Sequence, residues 1–400
     1  MEYIREAAKE LKLKDQYDVI VAGGGFGGVC AAVSAARQGA RVLLLEREYT
    51  LGGLATLGLI TIYEPICDGM GHQVSFSLAE ETFRLSISHG YEDEYPKYWL
   101  EGGTVEQKAE KRFRVRFNAS MCGILMEKWL KENRVDLLYG TVVCNTILED
   151  NKIKALVVEN KSGRSAYGCK SVVDCTGDAD LIRQSGEDFA LFQQKNVLAG
   201  WHYALKDGKV ILNKHGKADK PDKLKTEEER RNPVKRYPAI EAEELNELVM
   251  DAHEFVLADF LKGGELSPDH LITSIATIPQ VRMTRRVAGA YTMDDSEERK
   301  YFEDSIGMIG NWHVRGPIYE IPFGTLHGRK VKNLITAGRS ISCTDAMWDL
   351  TRVIPACAVT GEAAGVAAAL TDDFTTLDVK KVQEVLVERG VKLHIGDLNL

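Results

Sequence analysis

Residues 17–46 read YDVIVAGGGFGGVCAAVSAARQGARVLLLE, and the fold is decided by this stretch. Residues 18–22 form a short β-branched run that is bounded by glycine, which predicts a fully buried strand. An alanine-rich segment follows and predicts a helix that ends at Gly39, a natural C-cap. Residues 41–45 then predict a second strand. The pattern is therefore strand, glycine-rich turn, helix and strand.

The turn between the first predicted strand and the helix carries Gly23, Gly25 and Gly28 in the spacing G-x-G-x-x-G. The first glycine permits the tight turn, the second lets a pyrophosphate approach the backbone, and the third lets the helix pack on the strand. Phosphate would lie at the helix N-terminus, where free N–H groups and the helix dipole favour negative charge. Glu46 lies 18 residues after Gly28, close to the spacing of an acid that binds a ribose hydroxyl. Together these features predict a dinucleotide-binding unit.

Bulk composition restricts the function classes. The 400 residues, 44% of them hydrophobic, suggest two domains or one nucleotide-binding domain with a large insertion. A net charge of −8 argues against nucleic acid as a partner. The eight cysteines form no Cys-x-x-Cys motif and no cluster with histidine, so we expect no metal site and a reducing cytoplasm. The charged amino end has no apolar core, which predicts neither a secretory signal nor a membrane partner.

Later blocks distinguish FAD from NAD. A second glycine pair, Gly52 and Gly53, follows the acidic strand end, where flavoproteins commonly run a segment back toward the flavin. Residues 135–178 alternate β-rich runs with Asp-Asn and Ser-Gly turns, which predicts a meander that ends in a buried strand. A last predicted strand ends at residues 337–339, and residues 351–370 are nearly all small or apolar. The order of these blocks favours FAD.

The chain resembles FAD-dependent oxidoreductases with the glutathione-reductase type of FAD fold. The resemblance is carried by six strings: AGGGFGGVCAA, LGGLAT, VVDCTGDAD, PQVRMTRRVAG, IYEIPFGTLHGRKVKNLITAGRSIS and TRVIPACAVTGEAAGVAAAL. They look more narrowly like the group related to the A component of heterodisulfide reductase and are more distantly similar to fumarate reductase flavoproteins. The iron–sulfur motifs of the first group are not carried over, because clustered cysteines are absent from the sequence.

This resemblance implies an α/β fold. We expect a Rossmann-like FAD-binding domain with a central parallel sheet and a three-stranded β-meander, plus an inserted smaller α+β substrate or cap domain. The expected FAD-binding domain is discontinuous, with residues 15–180 and 316–372. Residues 181–315 would form the insert, and residues 373–400 a C-terminal helix that packs on the FAD domain.

The resemblance also implies a set of cofactor-binding residues. They come from the glycine turn, the end of the second strand, the meander, the last strand and the last helix: Gly23, Gly25, Phe26, Gly28, Glu46, Arg47, Gly52, Gly53, Leu54, Thr56, Val143, Thr176, Gly177, Asp178, Gly338, Arg339, Arg352, Thr360 and Gly361.

In the resembled fold, the N-terminus of the last helix points at the pyrimidine edge of the flavin. Thr360 and Gly361 are the candidates for the backbone nearest the ring, with Pro355 as the alternative start of the helix. Arg352 would add positive charge near the ring edge or the pyrophosphate. Arg339 stands where many flavoproteins have an acid, so its contact is left open.

Three residues are candidates for catalysis. Arg282 lies with Arg285 and Arg286 in an otherwise apolar stretch and is predicted to bind a substrate carboxylate or a flavin phosphate. The alternative is a salt bridge to Asp294, Asp295 or a neighbouring domain. His72 and His313 are candidate proton donors near the flavin N5, because histidine titrates close to neutrality. For each histidine, a structural role is the competing interpretation.

The predicted function is an FAD-dependent oxidoreductase that transfers hydride equivalents between the flavin N5 and a small organic substrate. Two alternatives stay open. One is an NAD(P)-only dehydrogenase, and the other is a flavin-binding subunit of a larger electron-transfer complex or a non-redox enzyme with flavin as a scaffold. The expected partner is a small molecule. The external electron acceptor or donor and a homo-oligomeric state are left open.

Overall fold

The computed structural model describes residues 4, 10–89, 97–110, 114–216, 225–231, 234–398 and 400. The helices in this part of the chain are α1 Phe26–Arg37, α2 Leu78–Ile87, α3 Lys97–Leu100, α4 Val105–Glu110, α5 Ala119–Glu132, α6 Asp180–Gln184, α7 Glu227–Arg231, α8 Ala242–Leu261, α9 Asp345–Thr351, α10 Ile354–Leu370 and α11 Val379–Glu388. The strands are β1 Leu13–Ala22, β2 Val42–Leu45, β3 Ile62–Tyr63, β4 Val115–Arg116, β5 Asp136–Leu138, β6 Val142–Glu149, β7 Lys152–Asn160, β8 Gly163–Asp174, β9 Phe189–Leu191, β10 Asn196–Val197, β11 His202–Lys206, β12 Lys209–Asn213, β13 Arg236–Tyr237, β14 His270–Ile275, β15 Arg285–Val287, β16 Ser305–Gly310, β17 Ile318–Pro322 and β18 Leu334–Thr336.

The central sheet of the described residues has seven strands, and β8 joins its two parts. At the C-terminal end of β8, the parallel neighbours are β1 and β18, and the parallel order continues from β1 to β2 and β5. The N-terminal half of β8 instead pairs antiparallel with β7, which pairs with β6. The predicted α/β class, with a parallel sheet and a three-stranded meander, is confirmed. Because parallel strands end at one edge, the turns after β1, β8 and β18 meet there.

Helices α1 and α10 cross beneath this sheet, and their small residues let the two backbones touch. A Cβ atom built on Gly361 would lie closer than 3.0 Å to the Gly27 carbonyl oxygen, and one on Gly365 would clash in the same way with Ala31. The Ser34 hydroxyl of α1 also donates a hydrogen bond of 2.7 Å to the Glu362 carbonyl oxygen. The Gly-x-x-x-Gly step of residues 361–365 is therefore a packing surface within the core.

Replacing Gly361 with valine is expected to reduce the free energy of unfolding by about 3 kcal/mol, the upper range for inserting methyl groups into a packed core. The new side chain would have to push α10 away from the Gly27 carbonyl. Urea unfolding monitored by far-UV circular dichroism measures the loss. Ala369→Val, at a half-buried position of the same helix, is the matched control and should cost much less. Equal losses in the two variants would contradict this account of the crossing.

Helix α10 begins at a sharp corner. Its N-cap is Val353 and Pro355 lies in its first turn, where the missing N–H of proline costs nothing. Pro355 therefore marks the start of the helix, one of the two alternatives given by the sequence. No single helix in the described ranges is long and apolar enough to span a bilayer, and only the pair α9 and α10 together, bent by 87°, passes by length and composition.

Residues 181–315 add smaller sheets and α8 beside the central sheet. Strand β11 pairs with β12 and β14, β9 pairs with β15, and β10 pairs with β13. Strand β16 pairs with β17 in a hairpin. The predicted boundary at residue 315 falls in the loop of this hairpin, so the domain division stays a prediction.

Candidate functional site

The turn between β1 and α1 is built from three glycines with different environments. Gly23 has a φ of +101°, and a Cβ on Gly28 would clash with the Gly23 carbonyl oxygen. Gly25 is the N-cap of α1, with φ −69° and ψ 178°, and it provides no side-chain cap for the first N–H groups of the helix. A Cβ on Gly25 would have nothing within 4 Å. Gly28 thus closes the turn, and Gly25 faces open space.

Glu46 holds this turn from the end of β2. Its Oε2 atom accepts the Gly24 N–H at 2.6 Å, and its Oε1 atom accepts the Glu48 N–H at 2.9 Å. Because an ionised carboxylate offers about four acceptor sites, lone pairs remain for hydroxyl groups of a ligand. Glu46 therefore shapes the turn and still presents an acceptor to the cavity beside it.

A first cavity of about 450 Å³ lies at the C-terminal edge of the sheet, next to Glu46. Its wall combines the glycine turn, the end of β2, the start of β6 and the turn after β8. The predicted cofactor residues in this wall are Gly23, Gly25, Glu46, Arg47, Gly53, Leu54, Val143, Thr176, Gly177, Asp178 and Arg339.

A second cavity of about 480 Å³ adjoins the first and shares Gly25, Leu54, Gly177 and Arg339 with it. Its wall includes the first residues of α1 and the corner where α10 begins. The predicted residues found here are Gly25, Phe26, Gly52, Leu54, Gly177, Arg282, His313, Gly338, Arg339 and Arg352. Both volumes lie within the roughly 300–1,000 Å³ that is typical of small-molecule sites.

Arg339 ties the turn after β18 to the segment before β15. Its Nη1 atom donates to the carbonyl oxygens of Val281 at 3.1 Å and Arg282 at 2.7 Å, and its Nη2 atom lies 3.4 Å from Asp178 Oδ1. Gly338, with a φ of +77°, donates its N–H to the Thr360 hydroxyl at 3.0 Å. The sequence left the contact of Arg339 open. In the structure, this side chain links the turn after β18 to the segment before β15 and to Asp178.

Arg282 brings a buried positive charge to the second cavity. Only 7% of the residue is exposed, and its Nη1 atom donates to the Gln280 carbonyl oxygen at 2.6 Å. No carboxylate among the described residues lies within ion-pair distance of it, so the predicted alternatives of a salt bridge to Asp294 or Asp295 are wrong. Burial, followed by the charges of Arg352 and Arg339, lowers the pKa of Arg282 to about 9. The guanidinium still carries its charge at neutral pH.

His313 and Arg352 share one buried carboxylate, that of Asp349. The Asp349 Oδ2 atom pairs with His313 Nε2, and the Oδ1 atom pairs with the Arg352 guanidinium, whose Nε lies at 3.0 Å. Burial acts to raise the pKa of Asp349, but Arg352 and His313 outweigh it and lower the pKa. An ionised carboxylate only accepts hydrogen bonds. His313 Nε2 is therefore the donor, and Nδ1 is left as a proton acceptor.

Some predicted residues lie outside both cavities. His72 pairs through Nδ1 with Asp68 Oδ2 at 2.9 Å and lines neither cavity, so its catalytic assignment is not supported. Thr56 hydrogen-bonds the Leu51 carbonyl oxygen at 2.5 Å and supports the Gly52 turn. Thr360 and Gly361 lie more than one turn beyond the start of α10 and line neither cavity, whereas Val353 and Ile354 line the second cavity.

The sequence analysis missed several residues of the second cavity. Trp201, Trp312 and Cys357 line it, and Asp349 holds His313 and Arg352. Two sequence signals were available: Trp312 directly precedes His313, and Asp349 stands three residues before Arg352 just ahead of the last helix. No cluster of three His, Cys, Asp or Glu residues that could hold a metal occurs in the described part of the chain.

The sequence model of a protein family described as FAD dependent oxidoreductase matches residues 18–200 and 190–386. Among curated proteins, a thioredoxin reductase from Ureaplasma parvum serovar 3 is 29% identical over 79 residues, which are 20% of this chain and 26% of that protein. The match therefore spans about a quarter of the relative.

Two solved structures are similar to this chain at low identity. A geranylgeranyl bacteriochlorophyll reductase-like protein from Thermoplasma acidophilum is 13% identical, with a TM-score of 0.46 over 94% of this chain and 84% of that chain. The p-nitrophenol 4-monooxygenase of Pseudomonas putida DLL-E4 is 12% identical, with a TM-score of 0.47 over 94% and 85%.

Proposed function

This chain belongs to the FAD dependent oxidoreductase family, and we propose that it transfers hydride equivalents between the flavin N5 and a small organic substrate that carries a carboxylate. Its cofactor is FAD, and the protein is an oxidoreductase. The finer grouping with relatives of the A component of heterodisulfide reductase, and distantly with fumarate reductase flavoproteins, belongs to the proposal and rests on the six strings quoted above. So do the cytoplasmic location and the assignment of residues 181–315 as the substrate side.

The residues around both cavities fit FAD. The Cβ direction at Gly25 points into open space, so a pyrophosphate can approach the backbone there. Neither α1 nor α10 has a side-chain cap at its N-terminus, and both helices begin at the second cavity. Helix N-termini of this kind favour negative charge. The start of α1 would therefore hold the pyrophosphate, with Glu46 accepting from the ribose in the first cavity.

The flavin end of the cofactor supplies two-electron chemistry when bound. In our proposal, the start of α10 and Arg352 would stabilise negative charge on the flavin. A Cβ on Gly27 would lie 3.3 Å from Gly338 Cα, so these two glycines of the cavity wall pack closely against each other. The start of α10 and Arg352 would thus supply a positive, preorganised environment for the flavin.

Oxidation of an alcohol or amine substrate releases one proton for each hydride that leaves its carbon. His313 is the residue that we assign to this proton, with Nδ1 as the acceptor and Asp349 behind it. Arg282 would hold the substrate carboxylate, since guanidinium binds carboxylate through paired hydrogen bonds. The carrying observation is that Arg282, which is buried and has no carboxylate partner among the described residues, lines the same cavity as His313, whose ring pairs with Asp349.

The purified protein is expected to be yellow, with about one FAD per chain, and to be bleached anaerobically by at least one member of a panel of hydroxy, amino and dicarboxylic acids. An absorbance titration measures both properties. Replacing Arg282 with glutamine should weaken the productive acid at least about 10-fold, because a charge-assisted hydrogen bond is lost. A colourless protein, or a flavin that only reduced nicotinamide can bleach, would overturn the proposal.

A further inference from the structure

Two tryptophans line the second cavity, and each stands beside two cations. Trp201 has the Arg282 guanidinium 5.6 Å from its ring centroid and the Lys214 ammonium at 5.9 Å. Trp312 has the Arg352 guanidinium at 5.8 Å and the Arg114 guanidinium at 5.3 Å. All six side chains belong to the wall of this one cavity. Cations at these distances are attracted to the indole ring and help to fix its orientation.

The charges of these cations are compensated unequally. Arg114 pairs with Glu64 at 2.8 Å, and Arg352 pairs with Asp349. Arg282 has no such partner among the described residues, and its guanidinium donates there only to the Gln280 carbonyl oxygen. Most of its five N–H groups therefore remain for a ligand. A buried guanidinium without a counter-charge calls for one anionic group, because an unpaired buried charge is costly.

Tryptophan faces suit a flat ligand. Indole rings favour offset or edge-to-face contact with other aromatic rings, which adds to the gain from burying the ring. Trp201 is 9% exposed, and its Nε1 atom donates to the Gly216 carbonyl oxygen at 2.9 Å. Trp312 donates in the same way to the Asp349 carbonyl oxygen at 2.9 Å. Both indole N–H groups are therefore already bonded, and both rings belong to the cavity wall, where the His313 ring packs against Trp312 with centroids 3.7 Å apart.

We propose that the second cavity selects a planar aromatic monocarboxylate, whose carboxylate binds Arg282 and whose ring packs against the Trp201 and Trp312 side of the cavity. This inference rests on the proposed function and names its substrate class. A dicarboxylate is disfavoured, because Asp349 already neutralises Arg352 and Glu64 already pairs with Arg114. A neutral aromatic compound would leave Arg282 without a counter-charge.

Four probes separate the shape and the charge of the ligand. Benzoate is planar and anionic, cyclohexanecarboxylate is anionic without a flat ring, benzamide is flat and neutral, and succinate carries two carboxylates. Each is titrated into the FAD-loaded protein, and binding is followed by the visible flavin spectrum and by tryptophan fluorescence. We expect benzoate to bind about 10-fold more tightly than benzamide or succinate. It should bind at least about 3-fold more tightly than cyclohexanecarboxylate.

Three variants assign these preferences to residues. Arg282→Gln should remove the preference for benzoate over benzamide, and Arg282→Lys should keep part of it, since the positive charge remains. Trp312→Leu should reduce the preference for benzoate over cyclohexanecarboxylate while benzoate keeps its advantage over benzamide. Thermal unfolding and FAD content of each variant report whether the protein still folds.

The outcomes distinguish this inference from the proposed function. A yellow protein that an acid reduces, but that binds the four probes equally or prefers succinate, would overturn the inference and leave the proposed function standing. A protein without FAD would overturn both. If benzoate binds with the expected preference and Arg282→Gln leaves it unchanged, the assignment to this cavity is wrong.

Discussion

Gly25→Val is expected to abolish FAD binding without unfolding the protein. Gly25 has extended backbone angles that any residue can adopt, and a Cβ there would meet no protein atom within 4 Å. The added side chain would instead fill the space between the two cavities at the start of α1. Losing two backbone hydrogen bonds to a charged pyrophosphate should weaken FAD at least about 100-fold.

Two control variants make this prediction specific. Gly28→Ala places a Cβ against the Gly23 carbonyl oxygen and should lower the thermal stability, because it breaks the turn itself. Gly396→Val changes a glycine that also has open space around it but lies outside both cavities, so it should keep full FAD content. Flavin absorbance after gel filtration measures binding, and calorimetry of the apoprotein measures stability. A Gly25→Val protein that retains FAD would show that the cofactor does not approach this turn.

Asp349→Ala is expected to cost about 3–5 kcal/mol of unfolding free energy, the range for removing one partner of a buried ion pair. The substitution leaves the buried Arg352 guanidinium without its carboxylate and releases the His313 ring. It should also slow reduction of the flavin by a productive acid about 100-fold or more, since Asp349 positions the proton acceptor.

The pH dependence of this stability loss follows from the lowered pKa of Asp349. The folded-state pKa of Asp349 lies below its ordinary value of 3.8, so its stabilisation is complete above that pH and is lost as the pH falls through the lowered pKa. The stability difference between the wild type and Asp349→Ala should therefore shrink in acid. Urea unfolding between pH 3 and 8 measures it.

Asp349→Asn is the matched control, because it keeps the shape and can still accept a hydrogen bond from His313. Its stability loss should be smaller than that of the alanine variant, and the pH profile of flavin reduction should shift, since a neutral amide no longer favours a charged imidazole. FAD content should stay unchanged in both variants. Equal pH profiles in wild type and Asp349→Asn would mean that His313 does not take the proton.

The sequence was sufficient for the nucleotide-binding half of the fold because its signals are local. Gly23, Gly25, Gly28 and Glu46 follow one another within a single strand–helix–strand unit, and each residue type has a steric or hydrogen-bonding reason at its position. The meander was equally readable, since turn residues separate its β-rich runs. Bounds differed by a few residues, with β1 beginning at Leu13 rather than at residue 18.

The catalytic side was less predictable, because its contacts join distant positions. Arg339 and the Arg282 carbonyl oxygen are 57 positions apart, and His313 and Asp349 are 36 apart. His72 looked equivalent to His313 in the sequence. In the structure, however, His72 pairs with Asp68, four residues away, and lines neither cavity. Thr360, a predicted cofactor residue, accepts the Gly338 N–H from 22 positions away. Residue type alone does not separate these cases.

The backbone contact between α1 and α10 also bears on when the growing chain can first bind FAD during synthesis. Ser34 and Glu362, which join the two helices, are 328 positions apart. At about 5–20 residues per second, the ribosome needs roughly 15–65 s to travel between them. During that time, the alanine-rich helix α1 of the nascent chain has no α10 to pack against. We therefore expect FAD to bind late in synthesis, and a chain that ends before residue 354 to bind little FAD.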